Sequence, residues 1–190
     1  MKVTIHQPEH FPYMGFFQKM EKSDLFVILD DVQYTKNNFQ NRNKFKNKNG
    51  VDEWFTIGLE PNPNRKLIKD IYVNPHPKWK KNIITKLQNN FGEDFSDIYN
   101  HDKLVDINIQ SIEYCRKALK INTPLVLSSD LNLQSTSSQR LADICKYFGA
   151  TEYISGAGGV SYLDETLFNC KVSYFKPKLL NNYTSLQHII

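Results

Sequence analysis

The chain has 190 residues, of which 40% are hydrophobic and 13% aromatic, and a formal net charge of +4 at neutral pH. That composition suits one globular domain with its own core and excludes a disordered chain. The basic excess is small and local, in residues 36–48 and 78–81, so nucleic acid is not an expected partner. No apolar run reaches the roughly 18 residues of a membrane span. Cys115, Cys145 and Cys170 are far apart and show neither zinc spacing nor a disulfide framework. With no signal peptide ahead of the first strand, a soluble, cytoplasmic protein is expected.

Residues 2–6 predict a short buried strand, and Pro8 and Pro12 hold the next segment extended. Met14, Phe17 and Met20 recur at helical spacing and predict a helix over 13–22, followed by a strand over 25–30. Strand, helix and strand in such close succession form a βαβ unit, which implies a parallel pair. Residues 38–46 and 52–59 flank Asn47-Lys48-Asn49-Gly50, whose Asn-Gly signal predicts a hairpin. A short strand is expected over 68–73. Helices follow over 79–91 and 104–119, then a strand over 124–129. A helix over about 138–148 should stop at Gly149. Strands at 153–155 and 171–175 complete the pattern. The expected fold is α/β: a mostly parallel open sheet starting with a βαβ unit, with an inserted antiparallel hairpin and helices. A single domain over 1–190 is expected, with the hairpin insertion at about 38–60 and a helical part at about 77–120.

Polar groups cluster just past the strands, where open α/β sheets place their ligands. His6 and Gln7 end the first strand, and an imidazole there suits a general base or a proton donor to a phosphate as well as a local backbone contact. His6 and His10 are four apart, but Pro8 breaks the helix that a metal pair would need, so no metal is assigned. Asp30 and Asp31, with Gln33, end the second strand. Adjacent carboxylates there could hold magnesium, orient a ribose or amine, act as a base, or cap turn amides. Lys36 and Arg42 complement a phosphate or carboxylate, or pair with those aspartates. Ser155-Gly156-Ala157-Gly158-Gly159 follows a strand as a loop able to bring amides close to an anion, and Tyr162 and Asp164 lie just beyond.

Together these blocks resemble the WbqC-like family. The residues that carry the likeness are His6-Gln7-Pro8, Pro12, Gly15 and Lys19; Asp24, Asp30-Asp31-Val32-Gln33-Tyr34 and Lys36; Gln40-Asn41-Arg42; and Ser155-Gly156, Gly159 and Tyr162-Leu163-Asp164. The resemblance runs from residue 1 to about 180. It implies a role in decorating a sugar of O-antigen or another surface polysaccharide, including aminoacyl (glycine-type) transfer. Members usually continue into a further apolar segment, whereas this chain stops at Gln187-His188-Ile189-Ile190, which reads as a shortened form.

The expected activity is acyl or aminoacyl transfer to the amine of an amino sugar, with His6 or Asp31 as the catalytic base. Gln7, Asp30, Gln33, Lys36, Gln40, Asn41, Arg42, Ser155, Gly156, Gly158, Gly159, Tyr162 and Asp164 are the expected substrate-binding residues. An activated sugar or acyl donor is the expected partner. Acyl-CoA and ATP, the latter with magnesium, stand as alternative cofactors, and a second copy of the chain is a candidate to complete the C-terminal segment. The competing expectation is a non-catalytic sugar- or nucleotide-binding component of a biosynthetic complex.

Overall fold

The computed structural model describes residues 1–178, 181 and 183–190. Its main elements in chain order are β1 (Lys2–His6), α1 (Met14–Glu21), β2 (Leu25–Ile28), β3 (Arg42–Lys46), β4 (Asp52–Thr56), α2 (Lys78–Phe91), α3 (Leu104–Ala118), β5 (Leu125–Leu127), α4 (Ser137–Tyr147), β6 (Glu152–Gly156), β7 (Lys171–Phe175) and α5 (Leu186–Ile189). The chain divides into two compact units. The first comprises Met1–Gln7, Gly15–Asp30 and Ile121–Leu179; the second comprises Pro8–Met14, Asp31–Lys120 and Leu180–Ile190. None of the described helices is long and apolar enough to cross a membrane.

The first unit is a five-stranded sheet in the order β5-β2-β1-β6-β7, parallel at every pairing. A sheet covered on both faces reads as near-continuous apolar runs, and Leu25-Phe26-Val27-Ile28 is buried throughout. Val3, Ile5, Leu25 and Val27 face one side and pack with Leu141, Ile144 and Cys145 of α4. The alternate residues face α1, where the Phe16 ring lies 4.9 Å from that of Phe26. Helices therefore cover opposite faces, the doubly wound arrangement. α4 ends as expected, with Gly149 in the left-handed region at φ 61°.

The second unit carries the expected hairpin of β3 and β4, paired from Arg42–Thr56 to Lys46–Asp52. Asn47 shapes its turn by accepting the amides of Asn49 and Val51, each at 3.0 Å. Phe11, Phe45, Phe55, Phe95 and Tyr99 fill its core with Ile83 and Leu87 of α2 and Leu104, Ile107 and Ile112 of α3. The segment expected as a strand over 68–73 folds otherwise. Ile68–Asp70 is a single 3₁₀ turn, followed by isolated bridges at Tyr72 and Val73. Ile68 and Ile71 are both fully buried, and a spacing of three shares a face in a 3₁₀ turn but not in a strand. At the C-terminal end, Thr184 donates its amide to Lys44 and Ser185 donates its amide to Pro12. Leu186 is wholly buried.

Candidate functional site

Strand order in the first unit reverses between β1 and β6, since β2 and β5 lie on one side of β1 and β6 and β7 on the other. Such a switch point opens a crevice at the C-terminal ends of the strands. β1 ends there in His6. Counting on from the Val3–Tyr153 pair, and past the Thr4 hydroxyl that donates to the Ile154 carbonyl at 3.2 Å, His6 falls opposite Gly156.

The His6 ring is held in one orientation. Its Nδ1 lies 2.9 Å from the Gln7 carbonyl, which can only accept, so Nδ1 carries the proton and Nε2 keeps its lone pair. Its ring also meets Phe16 edge-on, with centroids 5.0 Å apart. Burial, and then the positive charge of Lys19, push the His6 pKa from 6.5 to about 3, against the pull of the Gln7 carbonyl. Although the residue is only half-buried, the imidazole is therefore neutral at physiological pH. Lys19 of α1 is 3% exposed, and its Nζ lies 3.9 Å from where a Cβ on Gly156 would stand. His6, Lys19 and the end of β6 thus form one neighbourhood of a neutral base and a buried ammonium.

The remaining expected residues of the first unit have contacts of their own. Asp30 is 1% exposed and accepts the Ser128 hydroxyl at 3.1 Å, the Ser129 amide at 3.0 Å and the Ser129 hydroxyl at 2.7 Å. Arg140 of α4 donates to the Ser128 and Leu133 carbonyls just behind. The glycine run folds as a 3₁₀ turn over Ala157–Ser161. A Cβ on Gly159 would stand 2.2 Å from the Ser155 hydroxyl oxygen and 2.9 Å from Leu163, whereas one on Gly158 would meet nothing within 4 Å. Tyr162 is exposed. Asp164 caps the following turn, accepting the Thr166 amide at 3.1 Å and its hydroxyl at 2.5 Å.

Asp31, Gln33, Lys36, Gln40, Asn41 and Arg42 lie in the second unit. Asp31 is half-buried and Lys36 exposed. The Gln33 amide donates to the Asn64 carbonyl at 2.6 Å. Gln40 and Asn41 shape the chain around them: Gln40 accepts the Thr35 amide, while Asn41 accepts the Tyr34 hydroxyl and donates to Ile57. Arg42 donates to the Asn37 carbonyl at 2.8 Å and stacks 4.6 Å above the Trp54 ring. No group of three or more His, Cys, Asp or Glu among the described residues is arranged to hold a metal.

Lys19, Ser128 and Ser129 are the residues the site adds to the expected set. The signal for Lys19 is its place between Phe16-Phe17 and Met20 on a short helix, where a lysine has little room to reach water. The serines carry no comparable signal, because only the β2–β5 pairing brings them to Asp30.

A doubly wound α/β sheet with polar groups at its C-terminal edge defines the class. The chain belongs to the WbqC-like protein family, whose pattern matches residues 7–188. It is similar, at 29% identity over 201 residues, to the uncharacterized protein Rv1507c of Mycobacterium tuberculosis, across 97% of this chain and 86% of that one. No solved structure gives a significant match.

Proposed function

We propose that this chain is an acyl or aminoacyl transferase that forms an amide on the amine of an amino sugar, in the biosynthesis of O-antigen or another surface polysaccharide. The observation that carries this reading is His6: a neutral imidazole at the switch point, with Nδ1–H given to Gln7 and the Nε2 lone pair left to take a proton. An amine must shed a proton as its nitrogen bonds to the acyl carbon, while the leaving group departs with the carbon–leaving-group electron pair. His6 Nε2 receives that proton, and Asp31 is the alternative base. Burial first, and then the Lys19 ammonium, lower the proton affinity of His6, and an anionic donor bound beside that ammonium would offset the second of these. The end of β6 at Ser155 and Gly156, with Gly158, would line the donor's place, and Gln7 and Tyr162 the sugar's. Lys36 and Arg42, in the second unit, remain the cations proposed for a phosphate group.

A second reading, a non-catalytic sugar- or nucleotide-binding component of a biosynthetic complex, is favoured by the same low proton affinity of His6, since so weak a base suits recognition better than turnover. Thermal shift with acyl-CoA, with ATP, and with UDP- and dTDP-amino sugars, each with and without magnesium, separates the two when combined with mass analysis of the products. A ligand at a hundred times its Kd adds about 2.7 kcal/mol of stability. Stabilisation together with a new amide product supports the transferase. Stabilisation by nucleotide sugar, with no product from either acyl-CoA or ATP plus glycine, supports the binding component.

A further inference from the structure

In the second unit, Gly58, Asn74, His76, Lys78, Trp79 and Asn82 line an open pocket of about 320 Å³. Its floor is clamped. The Gly58 carbonyl accepts the Asn74 amide at 2.8 Å, and Leu59 bridges Val73 in antiparallel fashion. Trp79, in the first turn of α2, lies directly on Gly58, where a Cβ would come within 2.7 Å of the indole Cγ and Cδ1. The glycine is needed for that close approach. The indole N–H donates to the Asn74 carbonyl at 2.7 Å, and the ring meets Tyr99 edge-on at 6.2 Å. The aromatic surface is thus fixed before any ligand arrives, which lowers the cost of binding.

The rim is polar. His76 Nδ1 accepts the Lys78 amide at 3.2 Å, which leaves Nε2–H as a donor. Asn74 uses its side-chain oxygen on the His76 amide at 2.9 Å, leaving its NH₂ group as a donor. Lys78 and Asn82 are exposed. An apolar indole surface edged with carboxamides and a cation matches a sugar ring, whose C–H groups are apolar and whose hydroxyls both donate and accept.

We propose that this pocket is a binding subsite for a hexose ring bearing an anionic substituent, with the ring on Trp79, hydroxyls on Asn74 and Asn82, and the anion on Lys78. The subsite stands independently of the transferase reading, because binding is measured without turnover.

The test follows the two indole N–H resonances of the ¹⁵N-labelled full chain, assigned with Trp54→Phe and Trp79→Phe variants. Glucuronate, glucose 6-phosphate, glucose and inorganic phosphate are titrated in turn. The expected result is a saturable shift of the Trp79 resonance with glucuronate, glucose 6-phosphate or both, with Trp54 unmoved. Binding should weaken about tenfold for glucose or for Lys78→Ala, the loss of one charge-assisted contact, and disappear in a folded Gly58→Ala chain. A Trp79 shift produced equally by inorganic phosphate, a shift confined to Trp54, or no saturable shift with either anionic hexose would overturn the proposal. Should Gly58→Ala fail to fold, Asn82→Ala takes its place, an exposed substitution that leaves the Trp79 seat intact. Weakened binding in Asn82→Ala supports the assignment, and unchanged affinity contradicts it.

Discussion

Ser129 donates twice to the Asp30 carboxylate, from its amide to Oδ1 at 3.0 Å and from its hydroxyl to Oδ2 at 2.7 Å. This pair ties the end of β2 to the end of β5 and fixes one side of the edge on which His6 lies. Bonds to a buried carboxylate are strong, and removing one partner leaves the others desolvated. Asp30→Ala is expected to lower the unfolding free energy by about 3 kcal/mol and Ser129→Ala by about 1–2 kcal/mol. Urea denaturation of both variants checks this, and an Asp30→Ala chain as stable as the wild type would contradict a structural role for the carboxylate.

Acid should destabilise the protein through His6 and His10. His10 is fully buried between Phe11, Phe55 and Tyr99, with Nε2 3.0 Å from the Tyr99 hydroxyl. Burial pushes its pKa from 6.5 to about 3. The unfolded chain therefore takes up a proton that the folded chain refuses. The stability is complete above about pH 6.5 and is lost as the pH falls toward 3, by about 1.4 kcal/mol per pH unit for this ring. His10→Gln should flatten that slope in denaturation curves between pH 6.5 and 4.5, while costing about 1–3 kcal/mol at pH 7 if the Tyr99 hydroxyl loses its partner.

The glycine run 156–159 should divide sharply under mutation. Gly159→Ala drives a methyl into the Ser155 hydroxyl and Leu163, and overpacking of this kind costs about 1–3 kcal/mol. Gly158→Ala meets open space and should stay within about 0.5 kcal/mol of the wild type. Thermal melts of the two variants side by side decide it; equal melting temperatures would show that the backbone around Gly159 yields to the added methyl.

Asn43 holds an irregular stretch of backbone. Its side-chain amide donates to the His10 and Phe11 carbonyls at 3.2 and 2.8 Å, and Phe11 itself takes a positive φ of 43°, a conformation that needs support from its surroundings. Asn43→Ala takes a buried donor from the His10 carbonyl and leaves the Phe11 carbonyl to the Thr184 hydroxyl, and should cost about 1–3 kcal/mol in chemical denaturation. Asn43→Asp, which has no N–H to offer, should be no better.

Much of the first unit was legible because a sheet covered on both faces writes its strands as apolar runs, and β1, β2, β6 and β7 all appear near their expected positions. His6 was legible because it ends such a run. Other features depend on partners distant in sequence. Asn41, Asn43 and Asn108 carry no sequence signal of burial, yet they are buried and donate to backbone carbonyls of remote segments. Gly159 looks like a phosphate-loop glycine, yet Ser155 and Leu163 already account for the missing side chain. Ile68 to Val73 has the composition of a strand, and only the burial of Ile68 with Ile71 reveals the 3₁₀ turn.

The proposed role of His6 is tested by the turnover of His6→Gln against the wild type, with the acyl donor and amino sugar that yield the amide product. Glutamine keeps a polar side chain at the strand end but cannot take the proton. With His6 as the base, kcat falls by about 10²- to 10⁴-fold while the KM for the amino sugar changes little. Wild-type turnover in His6→Gln would contradict the assignment of His6 as the base and leave Asp31 as the group to test.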